Sequence, residues 1–405
     1  MRFESSSRVR ILFLCHRVPY PPNRGDRIAT HRRLLHLASR HEVTCLTFAM
    51  ESGDAESIRV LESQGVRVVA DRFDEKSRKL AALPALFSST PLTIACFRSR
   101  KLLAAARMAA PSTDVVVAYS GCMAQFIEQI RAPRVMEFGD LDSEKWRQYA
   151  SESSGISGWI YGREARTLLA YETQVARTFE VSLVVSAAEA ATFRERTGVE
   201  PLVVGNGVDL ERFAPGPREA RIPGLIVFTG IMDYRPNVDG CVRFTREVLP
   251  LVRKRVPNAQ FRIVGARPSA EVWALKSLGA EVTGAVPETA DHLRQASVAV
   301  APLRLGRGLQ NKVLEAMACA TPMVVSPNAS AGVDAQAGEH YLLADSAEET
   351  AERVVEILTD PARAAAIGTK ARTRMKERYP WSRAMADYDA ALEEAVRRFR
   401  GRHSG

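Results

Sequence analysis

SVAVAPLRLGRGLQNKVLEAMACATPMVV, residues 297–325, decides the fold. Ser297 to Pro302 is a β-branched, alanine-rich run of strand length. Arg304 to Gln310 is a loop carrying Gly306 and Gly308. Asn311 to Ala318 has helical spacing, with Val313, Leu314 and Met317 on its inner side. Cys319 to Pro322 ends that helix, because proline cannot continue one, and Met323 to Val325 opens the next strand. A flexible loop that leaves the carboxyl end of a strand and feeds a helix N-terminus is a natural anion site. Lys312 falls in the first turn, and Glu315 lies about one turn on, beside it. A cation and open N–H groups for phosphate, with a carboxylate for sugar hydroxyls, would suit a nucleotide sugar.

The same alternation runs through the chain. Towards the N-terminus, LIVFT (225–229) is a strand running into Gly230, residues 238–255 read as a helix, QFRIV (260–264) is a strand ending at Gly265, and residues 281–283 form a short strand ending at Gly284. The first half reads likewise. Residues 9–15 suit a strand buried on both faces, followed by the loop HRVPYPPNRGD (16–26), a helix over 27–40 and a strand over 42–48. Further strands are expected at 65–69, 114–119, 134–138, 181–185 and 201–204, with a helix over 187–196. The stretch 214–224, APGPREARIPG, reads as the best linker. Repeated strand–helix alternation predicts an α/β chain of two doubly wound parallel sheets, with the ligand in the cleft between them at the strand carboxyl ends. The domains are expected at 1–205 and 206–380, with a C-terminal helix over 381–405.

A chain of 405 residues is too long for one ordinary core. Its 46% hydrophobic and 25% charged content are those of a soluble globular protein, and no apolar run reaches the length of a membrane span. The N-terminus lacks a signal-peptide pattern. Six scattered cysteines without a CxxC pair point to reduced thiols, not a zinc site or a disulfide frame. These features predict a cytoplasmic protein. The net charge of +9 is shared between the halves and lacks interleaved aromatics, which argues against nucleic acid.

Several runs then resemble one family. The strand ending at Gly230, IVG (263–265), VTG (282–284) and KVLEAMACATPMVV resemble the C-terminal half of retaining GT-B glycosyltransferases of family 4. VVS (184–186), GNGVD (205–209), Phe213 and Pro215 resemble the interdomain region of that family. YPWSRAMADYDAAL (379–392), with Trp381, looks like its last helix, which crosses back to the first domain. HRVPYPPNRGD and GDLDSEKWRQYA (139–150) are similar to the sugar transferases encoded with exosortase/PEP-CTERM exopolysaccharide systems.

The resemblance implies transfer of a hexosyl group, with retention, from a nucleoside-diphosphate sugar to a polysaccharide or lipid-linked glycan, with no cofactor and no metal. Glu315 would bond the donor ribose. Gly308, Leu309, Gln310 and Asn311 would hold the diphosphate and donor sugar, and Gly25 would admit backbone to the donor from the other wall. The sequence departs from the family at three points. Arg307 stands where the family usually has a first glutamate. Ile231 and Asp239 stand near the usual phosphate cations, so Lys312, Arg235 or Arg307 would replace them. Gly139-Asp140 stands in place of a histidine.

The residues themselves offer further candidates. Asp140 and His16 follow first-domain strands and are candidate catalytic groups. Asn23 and Asp142 are candidate acceptor contacts, although Asp142 or Ser143 would equally cap the SEKWRQYA helix. Gly230 and Gly265 sit at strand ends where a ligand would approach. Residues 76–113 contain seven cations and no acid around apolar ALPALFSSTPLTIACF, a candidate anionic-membrane surface on the inner face of the cell membrane. Two other readings remain. A GT-B-fold nucleotide-sugar 2-epimerase would act on donor alone. A non-catalytic nucleotide- or carbohydrate-binding scaffold would bind without turnover.

Overall fold

The computed structural model describes residues 8–217, 220–305 and 308–403. The chain divides into two compact units, one of Met1–Val204 with Met385–Gly405 and one of Gly205–Ala384.

The first unit is built on a seven-stranded sheet. Its strands are β1 (Arg10–Cys15), β2 (Glu42–Ala49), β3 (Val66–Arg72), β4 (Val115–Tyr119), β5 (Arg134–Gly139), β6 (Val181–Val184) and β7 (Leu202–Val203), in the order β3-β2-β1-β4-β5-β6-β7. Every pairing is parallel. Parallel strands with helices on both faces are buried on both sides, which is why β1 and β4 read as continuous apolar runs. One face packs Leu12, Leu46, Val116 and Met136 against helices, and the other packs Ile11, Phe13, Val117 and Leu183. Tyr388, Ala391, Leu392 and Ala395 of the last helix, Trp381–His403, join the second of these clusters.

The second unit holds six parallel strands: β8 (Leu225–Thr229), β9 (Gln260–Val264), β10 (Ala280–Gly284), β11 (Val298–Ala301), β12 (Met323–Val325) and β13 (Leu342–Leu343). Their order is β10-β9-β8-β11-β12-β13. The strand order reverses between β1 and β4 in the first sheet and between β8 and β11 in the second. Open α/β sheets bind ligands at such switch points, at the strand carboxyl ends.

Two expectations need correction. The stretch 214–224 is not a linker between units but part of the second unit. It is tied down at Ala214 and Ile222: Ile222 N–H donates to Gln295 O (2.8 Å), Ser297 Oγ donates to Ile222 O (2.8 Å), and Arg294 Nε donates to Ala214 O (2.8 Å). The helix expected over 238–255 begins earlier, at Arg235, with Pro236 in its first turn. It runs as Arg235–Arg243, a π-helical turn Phe244–Val248, and Leu249–Arg255. Pro250 has no N–H to give, so the ladder widens to a bond from Leu249 N–H to Phe244 O just before it. The motifs GNGVD and YPW meet within the second unit, where Val208 N–H donates to Tyr379 O (2.8 Å).

Candidate functional site

At the carboxyl end of β8 the chain is crowded. A side chain on Gly230 would place its Cβ 2.6 Å from Asn237 Nδ2 and 3.2 Å from Lys312 Nζ. Gly265, at φ +151°, would drive a Cβ to 1.7 Å from Gly230 O, so only glycine fits there. Gly230 N–H donates to Val264 O (3.0 Å) and Gly265 N–H donates to Gly284 O (3.2 Å). The ends of β8, β9 and β10 therefore form one close-packed backbone row.

Lys312 rises beside that row from the first turn of the helix Asn311–Ala318. Its ammonium donates to Asn237 Oδ1 and lies 4.2 Å from the centroid of the Phe228 ring. Asn237 is buried, and its Nδ2 donates to Ile231 O (2.9 Å), which fixes the amide with its oxygen towards the lysine. Loss of water pulls the Lys312 ammonium down from its ordinary value to about 8. A cation at a helix N-terminus opposes the helix dipole, and this one is also desolvated, so the arrangement favours an anion nearby. Asn311 Oδ1 is buried there and makes no hydrogen bond among the described residues.

Glu315 lies beyond Lys312 on the same helix. Burial raises its carboxyl to about 7, against the opposing pull of the Arg212 and Lys312 charges. Arg212 is itself held by Glu288 in a two-point pair, at 3.0 Å for each contact. Gly308 takes φ 74°, Leu309 packs against the core, and Gln310 is the residue before the helix, its carbonyl accepting from Val313 N–H (2.9 Å). Arg235 is exposed at the start of its helix, and Arg304 pairs with Asp239 (Nε to Oδ2, 3.1 Å). Gly306 and Arg307 lie outside the described residues.

The first unit gathers a second set of groups at its own switch point. His16 follows β1 and stacks on Tyr119, the last residue of β4, with centroids 6.0 Å apart and planes 12° from parallel. Arg17 Nε donates to His16 Nε2 (3.0 Å) and lies 3.0 Å from Asp26 Oδ2, which is 3.5 Å from the same imidazole nitrogen. His16 Nδ1 is buried without a partner among the described residues. Burial lowers the His16 imidazole, the more so beside Arg17, and this favours the neutral ring. Burial opposes ionisation of Asp26, but contact with His16 and the Arg17 and Arg24 charges prevail and hold its carboxyl well below the usual range.

Asp140 follows Gly139, which ends β5 at φ 73°, and is partly exposed. Asp142 is the first residue of the helix Asp142–Ser151. Neither Asp142 nor Ser143 caps it: the residue before the helix is Leu141, and no side-chain cap bond is made there. Glu172, from the helix Gly155–Thr178, accepts from Ser143 N–H (3.3 Å) instead. Burial, with Asp142 nearby, holds Glu172 well above the usual carboxylate range. Asn23 is exposed, its N–H donating to Pro21 O (2.8 Å), and Gly25 is the exposed first residue of the helix Gly25–Ala38.

The structure thus brings Gly230, Gly265, Lys312 and, one turn along, Glu315 to one side of the second unit. It brings His16 and its ring partner Tyr119 together in the first. Asn237, Arg212, Tyr119 and Glu172 were not singled out from sequence. An asparagine two residues into a helix after a strand–glycine turn carries no signal until its burial is known. Among the described residues, no three His, Cys, Asp or Glu side chains group as a metal site.

Comparison with known proteins bears on the fold. Residues 223–360 match the family described as glycosyl transferases group 1. A D-inositol 3-phosphate glycosyltransferase of Rhodococcus opacus (strain B4) is 30% identical over 201 residues, 44% of this chain and 44% of the relative. A GDP-mannose-dependent alpha-(1-6)-phosphatidylinositol monomannoside mannosyltransferase of Mycolicibacterium smegmatis (strain ATCC 700084 / mc(2)155) is 28% identical over 264 residues, 58% of this chain and 67% of that one. The chain spans about half the length of the curated inositol-phosphate glycosyltransferases it matches. Among solved structures, Anabaena Alr3699/HepE in complex with UDP and glucose superposes with a TM-score of 0.69 at 14% identity, covering 95% of this chain and 99% of that one. WaaG, described as a glycosyltransferase involved in lipopolysaccharide biosynthesis, superposes with a TM-score of 0.69 at 13% identity, covering 94% and 99%. The fold is therefore GT-B, with two Rossmann-like parallel-sheet domains.

Proposed function

We propose that the chain is a glycosyltransferase that takes its sugar from a nucleoside diphosphate, and that the second unit holds the nucleotide end of the donor. The observation that carries this reading is the Lys312 ammonium in the first turn of a helix, held by Asn237 beside the close-packed ends of β8 and β9 and one turn from Glu315. The lysine and the open N–H groups of that helix would meet the diphosphate. The Glu315 carboxylate would accept from the ribose hydroxyls. Gly230 and Gly265 let the ends of β8 and β9 pack closely beneath Asn237 and Lys312, which sets where the lysine stands. The match of residues 223–360 to group 1 glycosyl transferases supports the assignment. The Anabaena neighbour described with UDP and glucose, and the relative described as GDP-mannose-dependent, make uridine and guanosine diphosphates the first ligands to try.

The finer reading is transfer with retention to a polysaccharide or lipid-linked glycan, as in exopolysaccharide synthesis. The first unit would then meet the acceptor through Asp140, Asp142 and His16. The test is calorimetric titration of UDP, GDP and ADP into the chain and into Lys312→Met and Glu315→Gln. Loss of a charge-assisted contact costs roughly 1.5–3 kcal/mol, or about ten- to hundredfold in affinity. If neither substitution weakens nucleotide binding, the donor site is misplaced. The anomeric proton coupling of the product, read by NMR, decides retention.

A further inference from the structure

Two exposed apolar stripes meet on the first unit. In the helix Glu75–Ala82 and the 3-10 turn Leu83–Phe87 that continues it, Leu80, Leu83 and Phe87 follow at i, i+3 and i+7, and they are 68%, 48% and 93% exposed. The helix Gly155–Thr178 presents Ile156 and Trp159, 80% and 57% exposed, with Arg163 next along the same stripe at i+7.

Arg163 joins the two stripes. Its guanidinium donates to the carbonyls of Leu86 (3.0 Å) and Thr90 (3.1 Å), and also to those of Ala85 and Ser88. Glu164, beside it, accepts from Leu92 N–H and Thr93 N–H at 2.7 Å each. The loop that carries Phe87 is therefore clamped from below at both ends. A loose loop would fold a phenylalanine back onto the protein, whereas this one holds it out into solvent.

The charge around the tip has one dominant sign. Of the seven cations in 76–113, three are engaged within the unit: Arg78 with Asp71 (2.9 Å), Lys79 with Glu75 (2.6 Å) and Lys101 with Ala70 O (2.7 Å). Lys76, Arg98, Arg100 and Arg107 remain exposed, and Met108, 82% exposed, follows the last of them. Arg78 also donates to Arg98 O, which places Arg98 beside the helix Glu75–Ala82. The nearest acids in sequence are spent, Asp74 on Ser77 N–H (2.9 Å) and Glu75 on Lys79.

We propose that this face docks on an anionic lipid bilayer. Phe87 and Trp159 enter the boundary between headgroups and acyl chains, and Lys76, Arg98 and Arg100 meet lipid phosphates. The charge selects this occupant. A second copy of the chain would bring like cations together, whereas an anionic surface neutralises them. The engagement of Arg78, Lys79 and Lys101 makes apolar insertion the larger contribution. The proposal stands on the first unit alone and is independent of the nucleotide site.

The experiment is co-sedimentation of the full chain with phosphatidylcholine vesicles, with and without phosphatidylglycerol. Phe87→Ser/Trp159→Ser is compared with Lys76→Gln/Arg98→Gln/Arg100→Gln. All five positions are exposed, and unchanged thermal unfolding and nucleotide binding show that the fold and the donor site are intact. The wild-type chain is expected to bind the anionic vesicles. The apolar double variant should lose about tenfold or more in partitioning, as the loss of one buried aromatic side chain already implies. The charge variant should bind less tightly and lose its salt dependence. Absence of wild-type binding to anionic vesicles overturns the proposal, as does wild-type binding by the double variant. So does a concentration-dependent dimer abolished by the double variant, because that result assigns the face to a second copy.

Discussion

Lys312 Nζ lies 4.2 Å from the centroid of the Phe228 ring. The ring attracts the cation, but Lys312 is half-buried and has given up part of its water, and that loss prevails: the ammonium falls to about 8 while Glu315, one turn on and also half-buried, rises to about 7. Both groups therefore titrate close to neutrality, and the proposed donor site should respond to pH from both sides.

Nucleoside-diphosphate affinity should follow a bell between about 7 and about 8. Below the lower value Glu315 gains a proton and stops accepting from ribose. Above the upper value Lys312 loses its proton and its attraction for phosphate. Calorimetric titration across this range should show Glu315→Gln flattening the acid limb and Lys312→Met flattening the alkaline one. The free ligand titrates identically in each experiment, so its own protonation cancels in the comparison.

Lys312→Met should also stabilise the ligand-free chain while weakening binding. The folded-state pKa of Lys312, about 8, lies below its ordinary value of 10.5. Between these values the unfolded chain binds more protons, so wild-type stability rises with pH across that window. Thermal unfolding should show this slope in the wild type and lose it in the variant.

Gly265→Ala should lower the unfolding midpoint of the second unit. The new Cβ would lie 1.7 Å from Gly230 O at a φ of +151°, so backbone must move. Overpacking and strain together suggest about 3 kcal/mol or more. Denaturant titration measures it, and a wild-type midpoint would contradict the packing described for β8 and β9.

Arg33 and Glu137 form a fully buried ion pair between the helix Gly25–Ala38 and β5. Arg33→Met leaves the carboxylate uncompensated and should cost about 3–5 kcal/mol. Arg33→Met/Glu137→Leu should recover most of that loss. Chemical denaturation of the two variants distinguishes a stranded charge from lost packing.

Asp140→Asn should lower sugar transfer by about a hundredfold or more if Asp140 serves the acceptor hydroxyl, with nucleotide affinity unchanged. His16→Ala should behave alike if the imidazole is the base. Paired measurements of transfer rate and nucleotide affinity separate the two assignments. Equal rates in both variants and wild type would remove both residues from the reaction.

Much of the framework was legible along the chain. LIVFT becomes β8 at the expected residues, because a strand buried on both faces is apolar without interruption, and QFRIV becomes β9 with Phe261, Ile263 and Val264 buried while Gln260 is exposed and Arg262 half-buried. All seven strands of the first sheet were anticipated, with ends shifted by a few residues. β13, only Leu342–Leu343, was not, since a two-residue edge strand has no periodicity to show and exists by pairing with Val324 and Val325. The linker expected at 214–224 followed from proline and glycine content. That composition reports local bends, not whether Arg294 and Gln295 hold the chain in place.

The sequence by itself determined the class of the protein: alternating strands and helices, glycines at the strand ends, and a lysine and glutamate one turn apart at the start of a helix. These are local properties, set by backbone sterics and side-chain periodicity. Tertiary structure alone decided what those residues can do. Asn237 and Lys312 are 75 residues apart and meet only because β8 and β11 are neighbours. Lys312 gives up part of its water to Asn237 and Phe228, which come from other elements. Glu172, not Asp142, serves the start of the helix Asp142–Ser151, and Arg163 holds Phe87 outward. Burial, partnership and desolvation depend on contacts between distant segments, so they appear only once the chain has folded.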